Sequence, residues 1–384
     1  MKPSEYRPGL KKMVVSVPVA TVWTTPESPR AMDMNVLQNK ADMRAWVSSL
    51  TPDERLDLCT SNRTQTQVLY AEEVVVIEVR NGWANIRIPN QATRKDPLGY
   101  PGWVPYIQLT EWSRHIARDS GVRLNAQVQI NSYAQKSAQE QMNTVVEVNA
   151  PVQNQEKVNT HVHDHVQERG IDHIHAQAQA HENRLVQVYS KFANMALLSE
   201  DAEAPYLELS YLTKLPLIEV RDTEVYVHSP HGVGVFSMKD VTFLDHHAGT
   251  GLDIGSRIAA EANRFLNLAY LWGGLSSYGY DCSGFAYSMY ASQGITIPRD
   301  ASDQALAGTE AVSNRLRPGD LLFFAYEEGK GRIHHVGIYI GDGKMIHSPD
   351  SKSCIEVVEL TSYKLIKEHC ASRRYDASLN HFIQ

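Results

Sequence analysis

The feature that most constrains this chain is a cysteine placed between an acidic residue and a short apolar segment. Asp281 precedes Cys282, and the run from Gly284 to Tyr290 has apolar residues at helical spacing. This pattern predicts a helix whose first turn carries Cys282 and whose N-cap is Asp281. The unpaired N–H groups and the positive dipole end at that place favour a thiolate, the nucleophilic form of cysteine. We therefore predict a catalytic cysteine rather than a buried structural one.

Two histidines further along the chain can activate that cysteine. The run from Val336 to Ile340 is apolar and β-prone, Gly-Asp-Gly follows at 341–343, and an extended pattern resumes at Lys344. The segment is therefore predicted to be a β-hairpin with a three-residue loop. In such a hairpin His335 and His347 point to the same face, so both imidazoles can meet one cysteine.

The two histidines are given different roles. We predict that His335 is the general base and that His347 orients it and stabilises its charged form. His334 must point to the opposite face of the strand and is the poorer candidate for the base. A cysteine with these partners indicates thiol-dependent hydrolysis of an amide bond.

Six motifs around these residues share an order and a spacing with a known family. They are Tyr270-Leu271-Trp272-Gly273-Gly274, Tyr280-Asp281-Cys282-Ser283-Gly284, Ile297-Pro298-Arg299-Asp300, Leu316-Arg317-Pro318-Gly319-Asp320-Leu321, His335-Val336-Gly337-Ile338-Tyr339 and Met345-Ile346-His347-Ser348-Pro349. In both respects the segment 250–375 resembles the NlpC/P60 family of cell-wall peptide hydrolases. The resemblance implies a papain-like α+β domain, in which a helix with the cysteine packs on an antiparallel sheet with the histidines, and it implies cleavage of peptidoglycan stem peptides.

The upstream half of the chain predicts two small all-β modules. In residues 10–112, short strands separated by turn residues are expected at Val14–Trp23, Thr66–Val79, Gly82–Ile88 and Gly102–Leu109. Residues 186–245 repeat the order at Val186–Leu198, Thr213–Val220, Glu224–Val227 and Gly234–Phe236. The Gly-Trp pairs at 82–83 and 102–103 resemble those of bacterial SH3-like repeats. The predicted fold class is thus α+β, with two SH3-like barrels ahead of an NlpC/P60 domain at 250–384.

Between the two modules, residues 113–185 are rich in Gln, Asn, Ala and His and hold few large apolar residues. They can bury little surface, so we expect an exposed polar insertion or linker. Six histidines cluster there, at His161, His163, His165, His173, His175 and His181. A zinc or nickel site is the alternative, but no Cys or paired Glu completes a ligand set, and no metal is predicted.

Charge and cysteine content exclude several classes of protein. The chain has 384 residues, a hydrophobic content of 42% and a net charge of −7. A negative balance argues against nucleic acid as a partner. The four cysteines, Cys59, Cys282, Cys354 and Cys370, are too scattered for a disulfide framework or a zinc site. No metal or organic cofactor is expected.

Residues 1–8 carry charge, but no apolar run long enough for a signal peptide follows them. No later stretch approaches the length of a membrane span. The sequence as written therefore predicts a cytoplasmic protein. Export, after removal of a leader, is the alternative.

The resemblance also implies a specificity. In relatives with two SH3-like modules, the first module narrows the active site, so that only short stem peptides with a free N-terminal L-Ala enter. Such enzymes cut the bond between γ-D-Glu and the diamino acid, as in murein recycling. Glu72 matches an acidic position of those relatives and is expected to bind the ammonium group. Tyr106 is the expected aromatic companion. The alternatives are an exposed loop carboxylate and a packing tyrosine.

Residues next to the nucleophile are also expected to contact substrate. Asp281 is predicted to cap its helix and to contact the substrate ammonium, and Ser283 to donate hydrogen bonds. Tyr270 and Trp272 are expected to wall the acyl-side subsite, with core packing as the alternative. The backbone N–H of Cys282 and the Tyr270 hydroxyl are candidates for the oxyanion hole.

The sequence thus predicts a cytoplasmic cysteine peptidase that cuts free murein-derived peptides of the type L-Ala-γ-D-Glu-diamino acid. Two alternatives stay open. One is an exported peptidoglycan hydrolase whose SH3-like modules are wall anchors, and the other is a non-catalytic wall-binding protein. The presence of Cys282, His335 and His347 counts against the second. The sequence distinguishes neither lysine from diaminopimelate nor one oligomeric state from another.

Overall fold

The computed structural model describes residues 10–112, 184–198, 206–244 and 253–375. The predicted insertion, including its histidine cluster, lies outside the described residues apart from Arg184 and Leu185. Among the residues described, no helix is long and apolar enough to span a membrane.

The first module is a seven-stranded antiparallel sheet with strand order β3-β2-β6-β5-β4-β1-β7. Its core consists of side chains that alternate along the strands, among them Met13, Val15, Val22, Val74, Ile86 and Val104. The strands are β1 (Lys11–Val15), β2 (Val19–Trp23), β3 (Thr64–Leu69), β4 (Glu73–Arg80), β5 (Trp83–Ile88), β6 (Tyr100–Pro105) and β7 (Leu109–Thr110).

Two of the strands predicted in this module are split in the structure. Val14–Trp23 is interrupted around Pro18, which has no N–H to offer a ladder. Thr66–Val79 turns at Ala71, whose φ of 61° lies in the left-handed region. Both breaks produce the tight corners that allow a short sheet to curl.

A helical segment between β2 and β3 was not predicted. It contains a 3-10 turn (Ala31–Val36) followed by α1 (Met43–Ser49) and α2 (Pro52–Thr60). The sequence did carry a signal for α2, because Thr51 and Glu54 form a capping box. Its apolar residues join a cluster with the third domain rather than the core of their own sheet, as Trp46 and Leu58 do.

The second module repeats the first. Its strand order, β10-β9-β13-β12-β11-β8-β14, matches that of the first sheet position by position. The predicted strand Val186–Leu198 is two strands, and β10 and β14 were not predicted. The strands are β8 (Leu185–Val188), β9 (Phe192–Leu197), β10 (Tyr206–Ser210), β11 (Lys214–Arg221), β12 (Glu224–Ser229), β13 (Gly232–Ser237) and β14 (Val241–Phe243).

The third domain packs helices on a six-stranded antiparallel sheet of order β17-β22-β18-β19-β20-β21. Its helices are α3 (Ile254–Asn263), α4 (Cys282–Ala291), α5 (Ala301–Gln304) and the short turn α6 (Tyr326–Gly329). Its strands are β15 (Leu275–Ser276), β16 (Gly279–Tyr280), β17 (Thr309–Glu310), β18 (Leu321–Ala325), β19 (Ile333–Gly341), β20 (Lys344–His347), β21 (Glu356–Glu359) and β22 (His369–Arg374).

Helix α4 covers the middle of this sheet. Phe285 and Met289 pack in one buried cluster with Phe323, Val336 and Ile346. The first turn of α4 therefore lies against β19, the strand that carries His335. The predicted α+β arrangement is confirmed.

Candidate active site

Cys282 is the first residue of α4. The helix begins there because Asp281 is extended and its Oδ1 accepts a hydrogen bond from the backbone N–H of Gly284 at 2.6 Å. The predicted N-cap is therefore confirmed. Cys282 is only 8% exposed and packs in the cluster that joins α4 to the sheet.

His335 and His347 meet as the hairpin predicts. The Nε2 atom of His335 and the Nδ1 atom of His347 lie 2.8 Å apart, and both rings are buried. The turn is shorter than predicted, since Asp342 and Gly343 both have positive φ, as a two-residue type I′ turn requires. An irregularity between Tyr339 and Gly341 takes up the extra residue, so the two histidines still share a face.

The second nitrogen of His347 points towards an acid. Its Nε2 atom lies 3.6 Å from Oε1 of Glu356 and has no hydrogen-bond partner among the described residues. The ring of Tyr363 packs edge-on against the His347 ring, with the two ring centroids 5.2 Å apart. His334 lies on the other face, where it bonds Glu368 at 2.7 Å and stacks on Tyr326.

Burial sets the resting charge of these groups. It raises the pKa of Cys282 to about 12, with a further contribution from Asp281, although the backbone N–H groups of Val336 and Ser283 lower it. Burial also lowers the pKa of His335 well below its usual value, and that of His347 to about 4. The expected thiolate at the helix N-terminus is thus opposed by desolvation. Burial thus favours the neutral thiol and the neutral imidazoles in the resting centre.

Asp281 and Ser283 are bound inside the protein by Arg299. Both carboxylate oxygens of Asp281 accept from the guanidinium, at 2.7 and 3.1 Å, and Ser283 Oγ accepts at 3.0 Å. Arg299 is 1% exposed. The guanidinium therefore occupies the ion-pairing position that was predicted for a substrate ammonium at Asp281. Arg299 belongs to the Ile297-Pro298-Arg299-Asp300 motif of the sequence, but no role was predicted for it.

Tyr270 lies beside the nucleophile, whereas Trp272 lies at a module boundary. Burial, and next the charge of Cys282, raise the pKa of Tyr270, which places the phenol close to the thiol. The carbonyl of Trp272 accepts a hydrogen bond from Thr64 of β3 at 3.0 Å. The segment 270–272 thus connects the catalytic cysteine with the first module.

Glu72 lies where the first module faces α4. Its carboxylate accepts from the Leu69 backbone at 3.2 Å and from Asn90 at 3.4 Å. Burial, and next the charge of Glu72, raise the pKa of Tyr287, a residue of α4. The Tyr287 hydroxyl in turn donates to the Asn90 carbonyl at 2.8 Å.

The described contacts of Tyr106 lie within its own module. Its hydroxyl interacts with Lys11, and its ring packs on the core of its own module. The reason is that β6 ends at Pro105 and a 3-10 turn begins at Tyr106, so the side chain leaves the face of the strand. The tyrosine that reaches the third domain is Tyr100, whose hydroxyl donates to Asp300 at 2.7 Å.

Helix α2 borders the site from a second side. Burial, and next the charge of Asp281, raise the pKa of Cys59, and Cys59 also interacts with Tyr270. Oδ1 of Asp53 in α2 lies 3.6 Å from Nζ of Lys352, a residue that follows the histidine hairpin. The first module therefore contacts the surroundings of the nucleophile through both β3 and its helical insert.

Comparison with known proteins agrees with this geometry. The sequence profile of the NlpC/P60 family matches residues 267–374, and that of the YKFC SH3b2 domain matches residues 192–243. A gamma-D-glutamyl-L-lysine dipeptidyl-peptidase of Bacillus subtilis is 38% identical over 93% of this chain and 96% of its own length. The chain belongs to the NlpC/P60 family. It is a cysteine peptidase of that family, with two SH3-like modules.

A sequence and a crystal structure from Bacillus cereus are also similar to this chain over nearly its whole length. A gamma-D-glutamyl-L-lysine dipeptidyl-peptidase is 32% identical over 95% of this chain and 91% of its own length. The crystal structure of an NlpC/P60 family protein superimposes with a TM-score of 0.74 at 30% identity, covering 95% of this chain and 99% of the other. The similarity therefore extends through both modules and is not confined to the NlpC/P60 domain.

We predict that His347→Gln weakens the acid sensitivity of the fold. The unfolded chain takes up a proton at His347 near pH 6.5, whereas the folded protein does so only near pH 4, so stability is lost as the pH falls through that window. A shift of this size corresponds to up to about 3 kcal/mol of unfolding free energy. Thermal unfolding should show that the Tm falls less between pH 7 and pH 4.5 in the variant than in the wild type. Equal decreases would contradict this assignment.

Proposed function

We propose that this enzyme hydrolyses the bond between γ-D-glutamate and the L-diamino acid in free murein peptides that begin with L-Ala. The observation that carries the proposal is the direct contact of the first SH3-like module with the surroundings of Cys282, through Thr64, Asn90 and α2. A cleft bounded in this way accepts a short peptide end more readily than a cross-linked polymer. The names of two full-length relatives support the same bond.

In the proposed mechanism, Cys282 Sγ attacks the γ-glutamyl carbonyl carbon. Because His335 Nε2 is engaged with His347, the nitrogen left to take the thiol proton is Nδ1. His335 Nε2–H then donates to His347 Nδ1, and His347 Nε2–H faces Glu356. This order of protons stabilises the imidazolium that forms during attack.

The remaining steps return the proton. His335 protonates the amine of the diamino acid as the C–N bond breaks, which leaves a γ-glutamyl thioester on Cys282. A water molecule, deprotonated by His335, attacks the thioester and releases L-Ala-γ-D-Glu and the free thiol. The negative oxygen can be bound by the Cys282 backbone N–H and the Tyr270 hydroxyl, which lies close to the sulfur.

A free N-terminal ammonium needs an anionic partner in a partly desolvated pocket. Glu72 is the carboxylate proposed for this role, since it lies where the first module meets the third domain. Asp300 lies there too, but Lys95 already pairs with it at 3.0 Å. Asp281 is the poorer candidate because Arg299 already neutralises it. An activity on free peptides fits the cytoplasmic location expected from the sequence, whereas a wall hydrolase would require export.

A panel of substrates tests the proposal. We expect L-Ala-γ-D-Glu-L-Lys to be cut to L-Ala-γ-D-Glu and lysine, as detected by mass spectrometry, and its N-acetylated form to be cut poorly, because acetylation removes the charge that the pocket binds. The diaminopimelate peptide measures preference at the second position. Cleavage of intact sacculi or acetylated peptides as fast as free ones would favour a wall hydrolase.

We predict that Cys282→Ser and His335→Ala each lower kcat/KM by at least about a thousandfold, because nucleophile and base act as a unit. His347→Gln should cost less, since an amide can replace part of its hydrogen bonding. His334→Ala is the matched control because that ring lies on the opposite face, bound to Glu368. An active serine variant, or an inactive His334 variant, would contradict the assignment.

We predict that Glu72→Gln lowers kcat/KM on free peptides by roughly tenfold to a hundredfold, the loss of one charge-assisted hydrogen bond. Its residual activity on acetylated peptides should be unchanged. Glu111→Gln is the matched control, since this carboxylate of the same module pairs with Lys11. Equal losses on both kinds of peptide would exclude Glu72 as the ammonium ligand.

A further inference from the structure

We propose that Arg299 is a positioning residue that neutralises Asp281 beneath the catalytic cysteine and links the cysteine's helix to the first SH3-like module. The module would thereby control the reactivity of the nucleophile as well as the width of the cleft. The inference rests on the proposed role of Cys282 as nucleophile, but on no particular peptide substrate.

All the N–H directions of Arg299 are used inside the protein. Nη2 donates to Asp281 Oδ2 at 2.7 Å and approaches the Gly274 carbonyl at 3.4 Å. Nη1 donates to Asp281 Oδ1 at 3.1 Å and to Ser283 Oγ at 3.0 Å. Nε donates to Thr66 Oγ1 at 2.9 Å. An arginine fork satisfied in this way fixes the orientation of its carboxylate partner.

Three of the four residues that the Arg299 side chain contacts lie in the loop and first turn around the nucleophile. Gly274 lies in the Trp-Gly-Gly segment before β15, whereas Asp281 and Ser283 flank Cys282 directly in sequence. The same Asp281 Oδ1 accepts the N-cap hydrogen bond from Gly284. A displacement of the guanidinium would therefore change the position of the first turn of α4.

The fourth contact leads into the first module. Thr66 lies on β3, and its hydroxyl donates to Gln91 Oε1 at 2.7 Å. Gln91 Nε2 then donates to the Gln67 carbonyl at 2.7 Å. The backbone N–H of Arg299 donates to the Ala92 carbonyl at 2.9 Å. Two adjacent segments of the module thus hold both the side chain and the backbone of Arg299.

The network returns to the third domain through Gln67. Its Oε1 atom accepts from the Leu275 backbone at 2.9 Å and from Ser276 Oγ at 2.8 Å. Thr66, Gln67 and Gln91 are all fully buried. Buried polar groups are costly in a core unless they are paired, and of the side-chain polar atoms of these three residues all but Gln67 Nε2 have a hydrogen-bond partner. The boundary between module and peptidase is therefore fixed in one arrangement around Arg299.

The charge of Arg299 matters because Asp281 is so near the sulfur. The Asp281 carboxylate raises the pKa of Cys282, and the Arg299 guanidinium lowers it. While the two are paired, the arginine offsets part of the effect of the carboxylate on the thiol. Without the arginine, a buried carboxylate would stand unpaired next to a group that must become negative.

The test measures alkylation of Cys282 by iodoacetamide as a function of pH, followed by peptide mapping. No peptide substrate is needed, so the outcome is independent of the substrate proposal. In the Arg299→Met variant, Cys282 should be alkylated roughly tenfold more slowly at neutral pH. The pH at which the alkylation rate rises should be higher than in the wild type by about one unit or more. Adding Asp281→Asn should restore most of the rate, because Asn still caps the helix but carries no charge.

Further variants separate positioning from general stability. Arg299→Lys keeps the charge but loses the planar fork that orients Asp281. Its alkylation profile should therefore lie between those of the wild type and Arg299→Met, and this variant also serves if Arg299→Met fails to fold. Thr66→Val removes only the hydrogen bond between Arg299 and the module. It should lower the alkylation rate several-fold, and with a peptide substrate it should lower kcat more than it changes KM. Arg374→Met is the matched control, since it breaks an arginine–aspartate pair with Asp320 in the same domain; it should lower Tm and leave the profile unchanged.

Three results would overturn the inference. The first is an unchanged alkylation profile in a folded Arg299→Met or Arg299→Lys variant. The second is a lack of rescue by Asp281→Asn, which would show that charge compensation is not the function of Arg299. The third is a shift of the alkylation profile to higher pH in Arg374→Met that is as large as in Arg299→Met. A wild-type profile in Thr66→Val would remove the role of the module and leave only the local ion pair.

Discussion

The buried ion pair between Asp281 and Arg299 is the interaction on which the rest of the catalytic domain depends. Arg299 Nη2 and Asp281 Oδ2 lie 2.7 Å apart at the N-terminus of α4, and both side chains are almost completely excluded from water. A buried carboxylate would be costly without its partner, and a buried guanidinium equally so. Each additional hydrogen bond in this pair comes from a functional segment: the first turn of α4, the Trp-Gly-Gly loop and strand β3 of the first module.

Burial also determines how protons move in the active site. A water-excluded thiol keeps its proton at neutral pH, and water-excluded imidazoles do not gain one. In the proposed mechanism, attack on the carbonyl and transfer of the thiol proton to His335 therefore occur together, rather than through a preformed ion pair. The line of His335, His347 and Glu356 provides hydrogen bonding and negative charge on the side away from the sulfur. Stabilisation is therefore available when the imidazolium forms and is not consumed in the resting enzyme.

The placement of Cys282, His335 and His347 could be predicted from sequence because it depends on local rules. Helical periodicity and an N-cap locate Cys282, and strand alternation puts His335 and His347 on one face even though the turn proved shorter. The contacts of Tyr106 within its own module were not predicted, because a single residue at the end of β6 decides whether its side chain follows the strand or a 3-10 turn. The helical insert was missed because its apolar residues, Trp46 among them, pack against a domain that is distant in sequence. The role of Arg299 depends on three such distant segments at once, and no local pattern encodes them.

The central claim is that the first SH3-like module forms part of the active site and receives the free end of the peptide. It is tested most directly by a crystal structure of the Cys282→Ser variant with L-Ala-γ-D-Glu-L-Lys bound. We expect the L-Ala ammonium to lie between the first module and α4, within hydrogen-bond distance of Glu72, with the γ-carbonyl carbon facing residue 282. An ammonium that points to solvent, with no contact to the first module, would contradict it.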